Sequence, residues 1–276
     1  MDTILATLGP DQLVLDLGCG GGSFQYPAYK CKIIGIDVQL RRDELTTPDH
    51  RVFYLEAESH ALPLEPSSID FAVCNHSLEH IARLRETLAE LGRVLKPAGF
   101  IWISVPNGFS FDDGLYRCLY AGGGHVNRFT FSGLKSEVES ITGLRLLQSN
   151  VLTSSFIYCK RPPASVWRYL PRRLKVLHKF GLGPLVGMQL NVLSRLSDRL
   201  FHSSLSQYGW GFLFGRPDAE VQSYLRSYFN VCRNCGAGYA METLRPGAFK
   251  RWALTFYCCS RCNERNLLFN PPAGFD

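Results

Sequence analysis

The chain has 276 residues, 46% of them hydrophobic, which is ample for a buried core and excludes an intrinsically disordered polypeptide. No apolar run reaches the roughly 18 residues of a membrane-spanning helix, and the first residues lack the basic start, apolar stretch and cleavage site of a secretory signal; a cytoplasmic location is therefore expected. Net charge is +6 but uneven: residues 1–160 carry −4, residues 161–216 carry +8 with Asp198 as their single acid, and residues 217–276 carry +2. The middle segment is the part that should feel phosphates or anionic lipid.

Leu13 to Leu17 is an apolar run entering a glycine cluster, as a buried parallel strand entering a tight turn would be. Ser23 to Lys30 leaves room for a short helix before a second strand, Lys32 to Asp37. Ile69 to Cys74 and Phe100 to Val105 predict two more strands, and between them Leu84, Leu88, Leu91 and Leu95 predict a helix stopped by Pro97 and Gly99. Phe131 to Thr142 suits another helix, followed by strand-like stretches at Leu144 to Leu152 and Ser155 to Cys159. Residues 161–205 read as a basic helical insertion with amphipathic stretches Leu170 to Phe180 and Leu190 to Phe201. Tyr208 to Phe214 returns to strand character, and Asp218 to Phe229 reads as a helix leading into the cysteine-rich end. Alternating strands and helices imply an α/β, doubly wound, mostly parallel sheet covered on both faces. The expected organisation is a core over 1–160, the insertion over 161–205, a returning edge strand over 206–216, and a linker helix with a small cysteine module over 217–276.

A turn that presses backbone against a ligand needs glycine, because a Cβ blocks close approach and disfavours positive φ. Asp16-Leu17-Gly18-Cys19-Gly20-Gly21-Gly22 matches acid-x-GxGxG, whereas a dinucleotide fingerprint wants glycine where Ser23 stands. Asp37 follows Asp16 by 21 residues at a strand's carboxyl end, where a carboxylate can accept both hydroxyls of a ribose.

From Val14 to Gly22 the chain resembles the first motif of class I S-adenosylmethionine-dependent methyltransferases, most closely the broad group typified by quinone-biosynthesis and small-molecule enzymes. Ile34 to Asp37 is similar to that family's second strand, Glu58 to Leu64 to the segment covering adenine, Ile69 to His80 to the fourth strand and its exit, and Leu91 to Gly99 to the helix and turn before the fifth. The likeness spans about residues 11–150 and implies a Rossmann-like fold with S-adenosylmethionine as cofactor. It also implies site roles. The amides around Gly18 and Gly20, with Gly22, would lie near the amino-acid part of the cofactor, and Asp16 would anchor its ammonium. Asp37 would hold the ribose and Glu58 the adenine amine, with Ser59 and Asn75 beside the cofactor. Many relatives carry Asp where Glu58 stands.

Methyl transfer to a hydroxyl needs alignment, exclusion of water and a proton acceptor. His76, just past the fourth strand, and His125, in the segment similar to the one before the family's last large helix, are the candidate catalytic residues. Glu79 and His80 equally suit the start of a helix. No Asn/Asp-Pro-Pro-aromatic motif follows the fourth strand, unlike the nucleobase amino-methylating members.

Of ten cysteines, Cys19, Cys31, Cys74, Cys118 and Cys159 are scattered and are expected to be reduced and mostly buried. Cys232-x2-Cys235 and Cys259-x2-Cys262 form two knuckles of a tetrahedral structural zinc ribbon, with Cys258 as a competing ligand for Cys259. The ribbon's Arg245, Lys250, Arg251 and Trp252 fit either a stacking surface for bases or a solvated rim. Trp167, Arg168, Arg172 and Arg173 in the insertion fit a lid, an anionic acceptor or a peripheral membrane contact through residues 161–202. The leading expectation is methylation of a hydroxyl, less favourably a carbon, on a small-molecule, sugar or lipid-linked acceptor. The rivals are an RNA methyltransferase that grips phosphates through ribbon and insertion, and a non-catalytic cofactor-binding interaction protein.

Overall fold

The computed structural model describes all residues except 41–48, 121–123, 154–155, 161–169, 171, 217–224, 252–253 and 271–276. Trp167, Arg168 and Trp252 therefore lie outside the described residues. The chain divides into two compact units, one of Met1–Val105, Phe129–Ser149 and Gly211–Leu225, the other of Pro106–Arg128, Asn150–Trp210 and Arg226–Asp276.

The first unit is an α/β sheet. Its strands are β1 (Leu13–Leu17), β2 (Lys32–Asp37), β3 (Val52–Glu56), β4 (Ile69–Asn75), nearly all of β5 (Leu95–Pro106), and the larger parts of β6 (Arg145–Thr153) and β7 (Gln207–Gly215), in the order β3-β2-β1-β4-β5-β7-β6. β1 runs parallel to both β2 and β4, β2 to β3, and β4 to β5. The order reverses between β1 and β4, so their carboxyl ends form the crevice where open α/β sheets bind ligands. Val14, Ile33, Phe71, Val73 and Trp102 pack in one cluster with Leu5, Tyr26 and Leu213, which is why these strands read as continuous apolar runs. Gly211 lies under Trp102: a Cβ there would come within 2.5 Å of the indole. The helix Leu84–Val94 buries Leu84, Leu88 and Leu91. The helix Phe131–Thr142 has the expected bounds, capped by the Thr130 hydroxyl accepting from Gly133 N and closed by Gly143 at φ 71°.

The second unit carries helices Phe111–Leu119, Ile157–Lys160, Arg172–Lys179, Gly183–Phe201 and Met241–Leu244. Its strands are β8 (Leu225–Val231) with β9 (Gly238–Ala240) antiparallel to it, and a separate sheet of β10 (Phe249–Arg251), β11 (Leu254–Cys258) and β12 (Arg265–Leu267). Tyr120, Phe156, Tyr158, Cys159 and Leu170 form its core cluster. Two expectations need correction here. Where Ser155 to Cys159 reads as a strand, the described part forms the helix Ile157–Lys160. The helix expected over Asp218 to Phe229 is, where described, the strand β8, because Phe229 and Val231 pair with Ala240 and Gly238 across the ladder, and pairing overrides a helical pattern.

Candidate functional site

Three glycines of the turn after β1 take left-handed backbones, Gly18 at φ 73°, Gly20 at 54° and Gly22 at 114°. Gly18 is also sterically fixed, since a Cβ would stand 2.4 Å from Ser77 Cβ. Their amides work inside the protein: Gly18 N donates to the Ile36 carbonyl at 2.7 Å, Gly20 N to Asp37 Oδ2 at 2.8 Å and Gly22 N to the Cys19 carbonyl at 2.6 Å. What these glycines offer a ligand is close backbone approach rather than those three donors.

Asp16 is fully buried at the β1 end of this turn. Its Oδ2 accepts from Ser23 N at 3.0 Å and from the Tyr26 hydroxyl at 2.5 Å, while Oδ1 has no hydrogen-bond partner among the described residues. Burial pushes its pKa up, against the opposing pull of the Tyr26 and Ser23 bonds. An unpartnered, buried carboxylate oxygen calls for a cation or donor from outside the chain. Asp37 ends β2 beside Glu56 of β3 and accepts from Gly20 N and, through Oδ1, from Gln39 N at 3.0 Å. Each of its oxygens keeps a further lone pair for a hydroxyl.

Glu58 follows β3 with its side chain 61% exposed and His60 Nδ1 3.7 Å away. The Ser59 hydroxyl meets the Thr87 hydroxyl at 2.8 Å, which ties it to the helix Leu84–Val94. Asn75 ends β4 and donates to the Ser23 carbonyl at 3.4 Å, joining the β4 exit to the glycine turn. His76 follows at φ 51°, a left-handed backbone uncommon outside glycine, and its amide donates to the Ser104 carbonyl at 2.9 Å. Its Nδ1 lies 3.4 Å from Glu79 Oε1. Glu79 is 1% exposed and its Oε2 has no partner among the described residues.

His125 belongs to the second unit. Its Nδ1 bonds Asp113 Oδ1 at 2.9 Å, Arg117 Nε donates to Asp113 Oδ2 at 2.5 Å, and the other Arg117 nitrogens donate to the carbonyls of His125 and Asn127. Burial alone would raise the Asp113 pKa, but the His125 and Arg117 bonds outweigh it and hold the carboxyl below its ordinary value. Asp113 was not legible as a site residue; the only signal is its i, i+4 spacing to Arg117 on the helix Phe111–Leu119.

The Sγ atoms of Cys232, Cys235, Cys259 and Cys262 all lie within 4.8 Å of one another. Cys232–Cys262 and Cys235–Cys259 are 3.6 Å apart, close to the edge of about 3.8 Å expected for a tetrahedron with metal–sulfur bonds near 2.3 Å. The two knuckles are built alike. Cys232 N donates to the Ala237 carbonyl and Gly236 N to that of Cys232, just as Cys259 N donates to Glu264 and Asn263 N to Cys259. The equivalent residues Gly236 and Asn263 are both left-handed, at φ 75° and 57°. Cys258, exposed on β11 opposite Arg265, is outside the set.

Residues 15–103 match the family model described as a methyltransferase domain, and this segment is such a domain. A sarcosine/dimethylglycine N-methyltransferase from Halorhodospira halochloris is 30% identical over 109 residues, which cover 36% of this chain and 39% of that protein. A ubiquinone biosynthesis O-methyltransferase from Paracidovorax citrulli is 33% identical over 105 residues, covering 34% of this chain and 43% of that one. The chain thus spans less than half the length of these curated relatives. A solved structure from Galdieria sulphuraria, assigned as a sarcosine dimethylglycine methyltransferase, aligns with TM-score 0.53 at 17% identity over 79% of this chain and 83% of that one, a likeness of fold alone.

Proposed function

We propose that this chain transfers a methyl group from S-adenosylmethionine to a hydroxyl, less favourably a carbon, of a small-molecule, sugar or lipid-linked acceptor. The observation that carries the reading is Asp16: a buried carboxylate with one oxygen unpartnered at the switch point fits the ammonium of a cationic cofactor. S-adenosylmethionine supplies an electrophilic methyl on a sulfonium. The chain's residues hold it: Asp16 Oδ1 accepts from the ammonium, Asp37 from the ribose hydroxyls, and Glu58 from the adenine amine. Ser59 and Asn75 would lie beside the cofactor, Asn75 tied to the turn through the Ser23 carbonyl, and Gly18, Gly20 and Gly22 let backbone approach closely.

For the proton of a hydroxyl acceptor, two histidines have oriented rings. His76 is backed by the buried Glu79, and His125 by the buried Asp113 on Nδ1, a contact that orients the ring and suits the tautomer with its proton on Nδ1. The four cysteines hold a zinc ion that closes the ribbon and leaves no position for chemistry.

Incubating the protein with methyl-labelled S-adenosylmethionine and separate hydroxylated small-molecule, lipid-linked and RNA acceptors tests the reading. Label in a small or lipid-linked hydroxyl acceptor, lowered at least tenfold in His76→Ala or His125→Ala, is expected. Label in RNA alone would replace it with the nucleic-acid reading, and cofactor binding with no acceptor labelled would favour a binding protein.

A further inference from the structure

The helix Gly183–Phe201 is built inside out. The residues it buries are Gly183, Gly187, Asn191 and Ser194, small or polar, whereas Leu185, Leu193, Leu196 and Leu200 stand between 47% and 60% exposed. At 100° per residue those four leucines share one face. Rotation of the helix cannot hide them. A Cβ on Gly183 would come 1.9 Å from the Cys159 carbonyl oxygen, and one on Gly187 would touch Cys159 Cβ at 3.4 Å, so close backbone approach fixes the inward face. On that face Asn191 donates to the Gly187 carbonyl and Ser194 to that of Asn191, each bond staying within the helix. Just before the helix, Val176, Phe180 and Leu182 add exposed apolar surface at 50%, 70% and 42%.

Charge on this surface has one sign. Arg172, Lys179 and Arg199 are exposed, and the only acid between residues 170 and 207 is Asp198. Its side chain is 8% exposed, and its carboxylate accepts from the Ser203 hydroxyl and the amides of Leu205 and Ser206. The segment therefore shows the outside a row of leucines flanked by cations, with no accessible carboxylate. A second copy of the chain would bring like charges together, and RNA would leave the leucines without a partner. No helix among the described residues is long and apolar enough to cross a membrane, so such a face would lie in the interface.

We propose that the outward face of Gly183–Phe201 is a docking surface for an anionic lipid membrane, with the leucines entering the acyl boundary and Lys179 and Arg199 meeting the headgroups. The inference goes beyond the methyl-transfer reading and does not rest on it, because vesicle binding is read without cofactor or acceptor. The test is co-sedimentation of the full chain with vesicles of phosphatidylcholine alone and of phosphatidylcholine with about 30% phosphatidylglycerol, at low and high salt. Binding to the anionic vesicles at least tenfold tighter than to the neutral ones, weakened by salt, is expected. Leu193→Ala with Leu196→Ala should weaken it on the order of 100-fold while thermal melting stays unchanged, since both side chains are exposed. Lys179→Ala with Arg199→Ala should remove the anionic preference alone. A folded chain that stays in the supernatant with anionic vesicles at low salt would overturn the proposal. So would a leucine variant that binds like the parent, or a dimer in sedimentation velocity that the leucine variant dissociates while no vesicle binding is found.

Discussion

Asp16 and Asp113 are both buried acids, and they respond to pH in opposite directions. Burial raises the Asp16 pKa in the unliganded protein. As pH rises the unfolded chain releases this proton first, so Asp16 lowers stability progressively from its ordinary pKa up through its raised one. Thermal melts of the unliganded protein should show that decline, and Asp16→Asn should flatten it. For Asp113, burial is outweighed by His125 and Arg117 and the pKa falls. Its stabilisation is present above the ordinary carboxylate value and is lost as pH falls through the lowered one. Asp113→Ala should cost about 2 kcal/mol or more near neutrality, with the deficit shrinking in acid; a deficit constant with pH would contradict the ion pair. Asp16 and Asp37 stand out in the sequence as acids at two strand ends around the glycine motif, and the roles proposed for them come from the resemblance of several blocks together, not from that spacing alone. The Asp113–His125 pair was not legible, because its members lie 12 residues apart and no local spacing announces their contact.

Among elements, the turn after β1 and the two cysteine knuckles have backbones that their sequences impose. Gly18 is left-handed with Ser77 against it, so Gly18→Ala should lower stability by about 2–3 kcal/mol and weaken cofactor binding, read by thermal melting and calorimetry. The sheet beside the cysteine cluster is small, with only Phe256, Tyr257, Asn266 and Leu267 buried among its strand residues, a core that would need the proposed zinc to hold it. The purified protein should contain one zinc per chain by elemental analysis, and Cys235→Ser or a strong chelator should remove it and unfold the region from Cys232 to Leu267. A metal-free protein with unchanged hydrogen exchange there would contradict this. β1, β2, β4 and β5 were readable because strands buried on both faces are uninterrupted apolar runs. β8 was misread because Phe229, Asn230 and Val231 owe their conformation to pairing with β9 rather than to their own period.

For the molecule as a whole, the α/β class was legible in the sequence from the alternation of strands and helices, and the strand order and the methyltransferase-domain match over residues 15–103 agree with it. The inverted polarity of Gly183–Phe201 was hidden, because amphipathicity shows that a helix has an apolar face and not which way the fold turns it. The glycine turn with Asp16 and Asp37 is the proposed seat of S-adenosylmethionine. Calorimetric titration of the cofactor into the protein and into Asp16→Asn and Asp37→Ala tests it most directly. Saturable 1:1 binding, weakened on the order of 10- to 100-fold in each variant, is the predicted result. A folded protein that takes up no cofactor, or variants that bind it as the parent does, would contradict the account.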